Sequence, residues 1–134
     1  MDFEKKPGML IISQIKYLHK ILEEFPEVVT SSKSCPFSDH LFKIQEDKDR
    51  YILCKEMANQ FHCTVSQLLF LCKRARPDVE MLVYFLTTRV KEPDTDNWGK
   101  LWHDLMYLKV TLYMNRHLNA KYLKDITWWV DRLF

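Results

Sequence analysis

The sequence predicts a mainly α protein: a small bundle of three long helices with an N-terminal strand-helix segment and a C-terminal β-hairpin. Two observations lead to this fold class. Between residues 51 and 110, apolar residues recur every three or four positions in three successive stretches, which is the spacing of one face of an α-helix. The breaks between the stretches fall at Arg76-Pro77 and Glu92-Pro93, where proline does not continue a helix. Apolar faces of this kind must pack against one another or against a partner.

Each predicted helix carries one apolar face. The faces consist of Phe61, Val65, Leu68, Leu69 and Cys72 in the first helix, of Val79, Leu82, Val83, Leu86 and Val90 in the second, and of Trp98, Leu101, Trp102, Leu105 and Leu108 in the third. Leu53 and Met57 extend the first face backwards, so we expect that helix to begin near Tyr51. Asp94 and Asp96 precede the third face, where a negative charge suits the positive end of a helix dipole.

Shorter elements are predicted on either side of the helices. Pro7-Gly8 indicates a turn, and the apolar run from Met9 to Ile12 indicates a strand. Ser13 is a favourable N-cap for a following amphipathic helix, which Phe25-Pro26 ends. These features predict a strand-helix segment in front of the bundle.

The segments before and after the bundle have different patterns. Residues 27 to 50 have no periodicity and predict a linker loop, in which Pro36 and the run from His40 to Phe42 form a short anchored segment. At the other end, Thr111 to Met114 and Ile126 to Val130 have strand composition. We expect these two runs to form the C-terminal hairpin.

Composition limits the class of protein. The 134 residues suffice for one domain, and 47% hydrophobic with 28% charged residues is the composition of a folded globular chain. The net charge of +2 permits contact with nucleic acid without arguing for it. The four cysteines are expected to be reduced thiols, buried where they lie on apolar helices. The sequence has no apolar run of the ~20 residues that span a membrane, which predicts a soluble intracellular protein, cytoplasmic or nuclear.

The central motifs resemble a known family. The runs LLFLCKRARPDVEMLVYFLTTRVKEP, DNW and LMYLKVTLYM are similar, in the same order, to the region downstream of the polymerase core in copia-type retrotransposon reverse transcriptases. The family shows a leucine-rich helix, an arginine-proline-aspartate break, a second helix, a proline, a tryptophan and a tyrosine-leucine-lysine-glycine-threonine signature. The strand-helix segment from Gly8 resembles the thumb of the same enzymes. Val110 departs from the family, because it stands where the signature has glycine.

The resemblance implies a division of the chain. Residues 1 to 26 would be a thumb-like segment, 27 to 50 a linker, 51 to 110 a connection-like helical core, and 111 to 134 the truncated start of a ribonuclease H-like sheet. On this interpretation the catalytic palm has been lost upstream. The intact family enzyme uses Mg²⁺.

No catalytic set is predicted. Polymerase chemistry needs paired aspartates to hold metal ions, and the sequence contains no Asp-Asp pair. Asp131 resembles the first ribonuclease H aspartate, but it is an isolated match. The adjacent His62 and Cys63 would point about 100° apart on a helix, which does not suit a nucleophile and its base. Histidine and cysteine spacing gives no zinc motif, so we expect no metal and no cofactor.

Two groups of cations are the candidate nucleic-acid-binding residues. They are Lys73, Arg74 and Arg76 after the first helix and Arg89 and Lys91 after the second. Two interpretations remain open. Cations at the end of a helix are favoured by the helix dipole alone. They also suit contact with the phosphates of a template-primer duplex, which needs charge and no base readout. The four tryptophans could stack bases, but their spacing is typical of core residues.

The resulting prediction is a non-catalytic reverse transcriptase fragment whose ancestral role was to position an RNA/DNA template-primer. The alternative is a protein-interaction module, in which apolar helix faces that met the missing palm and nuclease now bind a partner or a second copy. A retroelement remnant without a selected function also agrees with the sequence. Salt dependence separates the first two, because phosphate-led binding weakens with salt and apolar association does not.

Overall fold

The fold is described from a computed structural model, in which residues 1 to 27, 33 to 46 and 48 to 119 are described. This part of the chain is mainly α and also contains a small antiparallel sheet. The helices are α1 (Ile15–Glu24), α2 (Lys55–Arg74), α3 (Glu80–Thr87) and α4 (Thr95–Val110), and the strands are β1 (Asp2–Lys6), β2 (Met9–Ser13) and β3 (Arg116–Asn119).

The sheet joins the two ends of the described chain. β2 is the central strand, with β1 and β3 antiparallel on either side. The predicted turn at Pro7-Gly8 connects β1 to β2, and Gly8 has a positive φ of 69° that suits glycine. The sequence pattern did not predict β1, because all its side chains are exposed and only backbone pairing with β2 defines it.

The helices share one core. Its members include Leu18 and Ile21 of α1, Phe61 and Leu68 of α2, Leu82 and Leu86 of α3, and Leu101, Leu105 and Leu108 of α4. The predicted apolar faces therefore meet in a common interior. Leu69, Val90 and Trp102 lie at its edge and are only partly buried.

Three boundaries differ from the prediction. The first helix of the bundle begins at Lys55, not near Tyr51, because Ile52 forms a β-bridge with Asp94 that holds residues 51 to 54 extended. The second helix of the bundle has only 8 residues, since a 3₁₀ turn takes up Pro77–Val79 before it. Ser13 ends β2, and Gln14 occupies the N-cap position of α1 without a side-chain capping bond.

The C-terminal prediction also changes. Thr111 to Tyr113 form a turn, and the strand begins at Arg116 and pairs with β2. The other predicted hairpin strand, Ile126 to Val130, lies outside the described residues, as does Asp131.

The linker contacts the bundle where an anchored segment was predicted. Leu41 is buried, and the ring of Phe42 meets the ring of Phe85 edge-on at 5.7 Å between centroids. Lys100 donates to the carbonyl oxygen of Lys43 at 2.6 Å. Across residues 1 to 27, 33 to 46 and 48 to 119, no helix has the length and apolar character needed to cross a membrane.

Candidate nucleic-acid interface

Lys73 and Arg74 lie in the last turn of α2, and both side chains are exposed. The Nζ of Lys73 is 2.9 Å from a carboxylate oxygen of Glu80 and 4.5 Å from the ring centroid of Tyr84. An exposed ion pair of this kind contributes little to stability because water screens it. Lys73 can therefore exchange Glu80 for another anion at small cost.

The guanidinium of Arg74 lies over the ring of Phe70, with Cζ 4.0 Å from the ring centroid. The two residues are four positions apart and occupy the same face of α2. Tyr17 of α1 meets Phe70 edge-on, with 5.3 Å between centroids. Among the described residues, the Arg74 guanidinium has no hydrogen-bond partner, so its N–H groups remain available.

A further cation joins this group through the sheet. Arg116 is the first residue of β3, and its Nη1 donates to the carbonyl oxygens of Lys73 and Arg74 at 3.3 and 3.4 Å. These carbonyls belong to the end of α2, where they lack partners within the helix. Sequence reasoning missed Arg116, because only the pairing of β3 with β2 brings it to α2. We call Lys73, Arg74 and Arg116 the α2-end cluster.

Arg76 does not belong to this surface. Its side chain is 3% exposed, and its guanidinium forms a bidentate salt bridge with the carboxylate of Asp78, with N–O distances of 2.9 and 2.7 Å. The same group donates to the carbonyl and hydroxyl oxygens of Thr111, beyond α4. Four hydrogen bonds occupy the guanidinium, so burial removes Arg76 from the predicted phosphate contacts and gives it a structural role.

Two further groups complete the buried polar centre around Arg76. Tyr107 donates its hydroxyl to Asp78 at 2.9 Å. Burial would raise the pKa of Asp78, but bonds from Arg76 and Tyr107 together with the Arg76 charge lower it below its usual value. The pKa of Tyr107 is raised, first by burial and then by the hydrogen bond to the Asp78 carboxylate.

Asp104 lies in α4 and is fully buried. Neither carboxyl oxygen has a hydrogen-bond partner among the described residues. Burial raises the pKa of Asp104 well above its usual value. The positive charge of Arg76 lowers this pKa, and the negative charge of Asp78 raises it further. The side chain is therefore stabilised in its neutral form in the folded protein.

The second predicted pair of cations lies at the other end of α3. Lys73 contacts Glu80, the first residue of α3, whereas Arg89 and Lys91 follow its last residue. An eight-residue helix is about 12 Å long, which separates the two groups. Lys91 is exposed and Arg89 is half-buried. The structure thus does not combine the five predicted cations into one patch.

The acidic residues within the described ranges do not form the carboxylate set that Mg²⁺ of the resembled family would need. In the described part of the chain, no group of three or more metal-ligating side chains comes together. Asp94 caps α4 by accepting from the backbone N–H of Asn97 at 2.8 Å, and its other oxygen accepts from Arg50 at 3.2 Å. Asp104 is enclosed by the core. Asp125 and Asp131 lie outside the described residues.

The remaining candidates take structural positions or stay separate. Trp98 is buried and stacks on Phe25 with 5.1 Å between centroids, and Trp102 is half-buried. Trp128 and Trp129 lie outside the described residues. The cysteines are free thiols. Burial raises the pKa of Cys72 to about 11, whereas Cys63, although it lies on α2, is exposed.

Comparison of the chain with models of protein families, with curated proteins and with solved structures finds no match.

Proposed function

We propose that this chain is a non-catalytic part of a copia-type reverse transcriptase and holds an RNA/DNA template-primer by its phosphates. Two features support the proposal. The family motifs span residues 68 to 93, 96 to 98 and 105 to 114, which include the last turns of α2, all of α3 and parts of α4. The exposed cations of α2 lie just before the arginine-proline-aspartate break of the first motif. The α2-end cluster is the observation that carries the proposal.

The cluster has the properties that phosphate contact requires. Arg74 has no hydrogen-bond partner among the described residues, and the ion pair of Lys73 with Glu80 is exposed and weak. Arg116 holds the carbonyls at the end of α2 and adds a third positive charge. Binding a phosphate here releases counterions from the nucleic acid without breaking a buried interaction.

The second pair of cations extends the proposed contact. Arg89 and Lys91 follow the end of α3, an eight-residue helix about 12 Å long. This corresponds to roughly three or four nucleotides along one strand of a duplex, at ~3.4 Å each. One strand can therefore contact both groups if it follows the axis of α3.

Salt-dependent binding tests this proposal. A short RNA–DNA hybrid is titrated with the protein at increasing salt, and the logarithm of the affinity is plotted against the logarithm of the salt concentration. We expect the double substitution Lys73→Gln/Arg74→Gln to reduce the magnitude of the slope by about 2, one for each lost phosphate contact. Arg89→Gln/Lys91→Gln should reduce it similarly.

The matched control removes two charges elsewhere. Lys33 and Lys43 are exposed in the linker, and Lys33→Gln/Lys43→Gln lowers the net charge by the same amount. We expect its slope to equal that of the unmodified protein. Equal slopes for control and test variants would exclude a localised site. Failure of the unmodified protein to bind the hybrid at low salt would refute the proposal as a whole.

A second candidate function is protein association, and exposed apolar side chains favour it. Large apolar residues are exposed in the linker and the segment before α2 and again at the end of α4 and after it: Phe42, Ile44, Tyr51 and Ile52, and Val110, Tyr113 and Met114. Sedimentation measures self-association directly. Association that does not weaken with salt would favour this second function.

A further inference from the structure

The aromatic side chains beside the α2-end cluster form a distinct surface. Phe70 is 42% exposed although Arg74 lies over it and Tyr17 touches its edge. A separation of 4.0 Å between Cζ and the ring centroid places the guanidinium over the face of the ring, because contact with the ring edge gives a longer distance. We call Phe70 and Arg74 together the Phe70–Arg74 platform.

We infer that the Phe70–Arg74 platform stacks an unpaired base of a single-stranded nucleic acid. A guanidinium resting on an aromatic ring is a flat cation held in a fixed position, and bases stack on such planes. Ring contact also reduces the rotamer freedom that Arg74 would otherwise lose on binding. The platform thus combines stacking area with a positive charge.

Neighbouring groups supply the backbone contacts that a single strand requires. Lys73 is adjacent to Arg74 in α2, and its ammonium lies over the ring of Tyr84, which is 42% exposed. Arg116 reaches the same helix end from β3. Two carboxylates lie near these groups. Glu80 is paired with Lys73, whereas Glu24 accepts a hydrogen bond from Gln67 and is paired with Lys20. Burial raises the pKa of Tyr17, and the charge of Glu24 raises it further. The three cations exceed the one carboxylate paired with them.

The nucleic-acid form distinguishes this inference from the proposed function. The inference rests on the proposed function only because both involve the same cations. In a duplex the bases are paired and stacked on each other, so the platform can reach no exposed face of a base and only phosphate binding remains. A single strand offers the faces of its bases. The tryptophans of α4 do not compete for this role, since Trp98 is buried and Trp102 is half-buried.

The test uses a substitution that keeps the charge and removes the plane. Arg74→Lys retains a cation for phosphates but cannot lie flat on Phe70 and stack a base. The full-length protein is titrated against a single-stranded oligonucleotide of about 12 nucleotides that contains one 2-aminopurine, and against the RNA–DNA hybrid. We expect Arg74→Lys to weaken single-strand binding about tenfold and hybrid binding by less, because lysine keeps the charge that contacts phosphate but not the plane that stacks a base.

A direct readout and a second variant complete the design. Stacking quenches 2-aminopurine fluorescence, so the unmodified protein should quench it and Arg74→Lys should not. Phe70→Leu keeps an apolar side chain on α2 while removing the ring, and it should weaken single-strand binding by a similar factor. Thermal unfolding of each variant confirms that the fold is retained.

The outcomes separate the two proposals. Equal quenching and equal single-strand affinity for Arg74→Lys and the unmodified protein would overturn the platform while leaving hybrid binding intact. Quenching that depends on Arg74, together with no hybrid binding, would uphold the platform and refute the template-primer function. If neither nucleic acid binds at low salt, both fail.

Discussion

The guanidinium of Arg76 donates to the carbonyl oxygen of Thr111 at 2.9 Å, which joins the break after α2 to the end of α4. The last carbonyls of a helix lack partners within the helix, and Arg76 satisfies one at the C-cap of α4. Asp78 holds the opposite side of the same guanidinium. One buried side chain therefore fixes the position of α4 relative to α2.

This contact also explains how α4 ends without a glycine. Val110 is the last helical residue, and Thr111 follows with φ of −98°, which is outside the left-handed region. Among the described residues, only Gly8 has a positive φ. The helix ends through the Thr111 hydroxyl, which donates to the carbonyl of Tyr107 at 2.9 Å, and through Arg76.

The first prediction concerns Arg76 itself. Arg76→Lys retains the charge but cannot make the two-point contact with Asp78 and reach Thr111 as well. We expect the free energy of unfolding to fall by about 3 kcal/mol, because a buried ion pair loses its geometry. Urea denaturation measures the change. Arg74→Lys is the control and should change stability by less than about 0.5 kcal/mol, since its side chain is exposed. Equal effects of the two substitutions would contradict the structural role.

The second prediction concerns the pH dependence that Asp104 produces. Burial raises its pKa in the folded state above the unfolded value of about 3.9. The stabilisation from this group is therefore fully present below about pH 4 and is lost as pH rises through the folded pKa. Asp104→Asn remains neutral at every pH. Relative to the variant, the unmodified protein should lose stability as pH rises above about 4.

Urea denaturation at a series of pH values measures how the free energy of unfolding changes with pH in the unmodified protein and in Asp104→Asn. Asp78 serves as an internal contrast, because its pKa is lowered and its contribution is instead lost as pH falls below about 4. Parallel stability curves for the unmodified protein and Asp104→Asn would show that the Asp104 carboxyl titrates alike in the folded and unfolded states.

The third prediction concerns the N-terminus of α4. Asp94 accepts from the backbone N–H of Asn97 and from the side chain of Arg50, whose side chain is 16% exposed. Asp94→Ala removes both contacts and should cost about 2 kcal/mol. Asp94→Asn keeps an oxygen for the cap but loses the charge, and should cost about 1 kcal/mol. Thermal or urea unfolding distinguishes them, and equal losses would mean that the cap contributes nothing.

The core of the bundle was predictable because helical periodicity is a local property. Residues such as Phe61, Leu82 and Leu105 follow the spacing of one helix face, and the structure buries all three. Pro77 and Pro93 mark the breaks for a reason that is equally local, the absence of a backbone N–H. Helix boundaries were less accurate, since the bridge between Ile52 and Asp94 depends on residues 42 positions apart.

In the candidate site, too, some residues were predictable from the local sequence and others were not. Lys73 and Arg74 were identified from their position at a helix end, and they are exposed. Arg76 has the same local signal but is buried, because Asp78 and Thr111 accept its hydrogen bonds. Arg116 carried no signal, since it reaches α2 only through the sheet.

The sequence alone determined which apolar side chains form the interior and where proline interrupts the helices, because both depend on residues a few positions apart. Only the tertiary structure decided which cations face solvent, which pair of strands flanks β2, and that Asp104 is enclosed without a partner. The reason is that burial and partner choice depend on side chains far apart in the chain. Neighbouring arginines with the same local pattern can therefore take opposite roles.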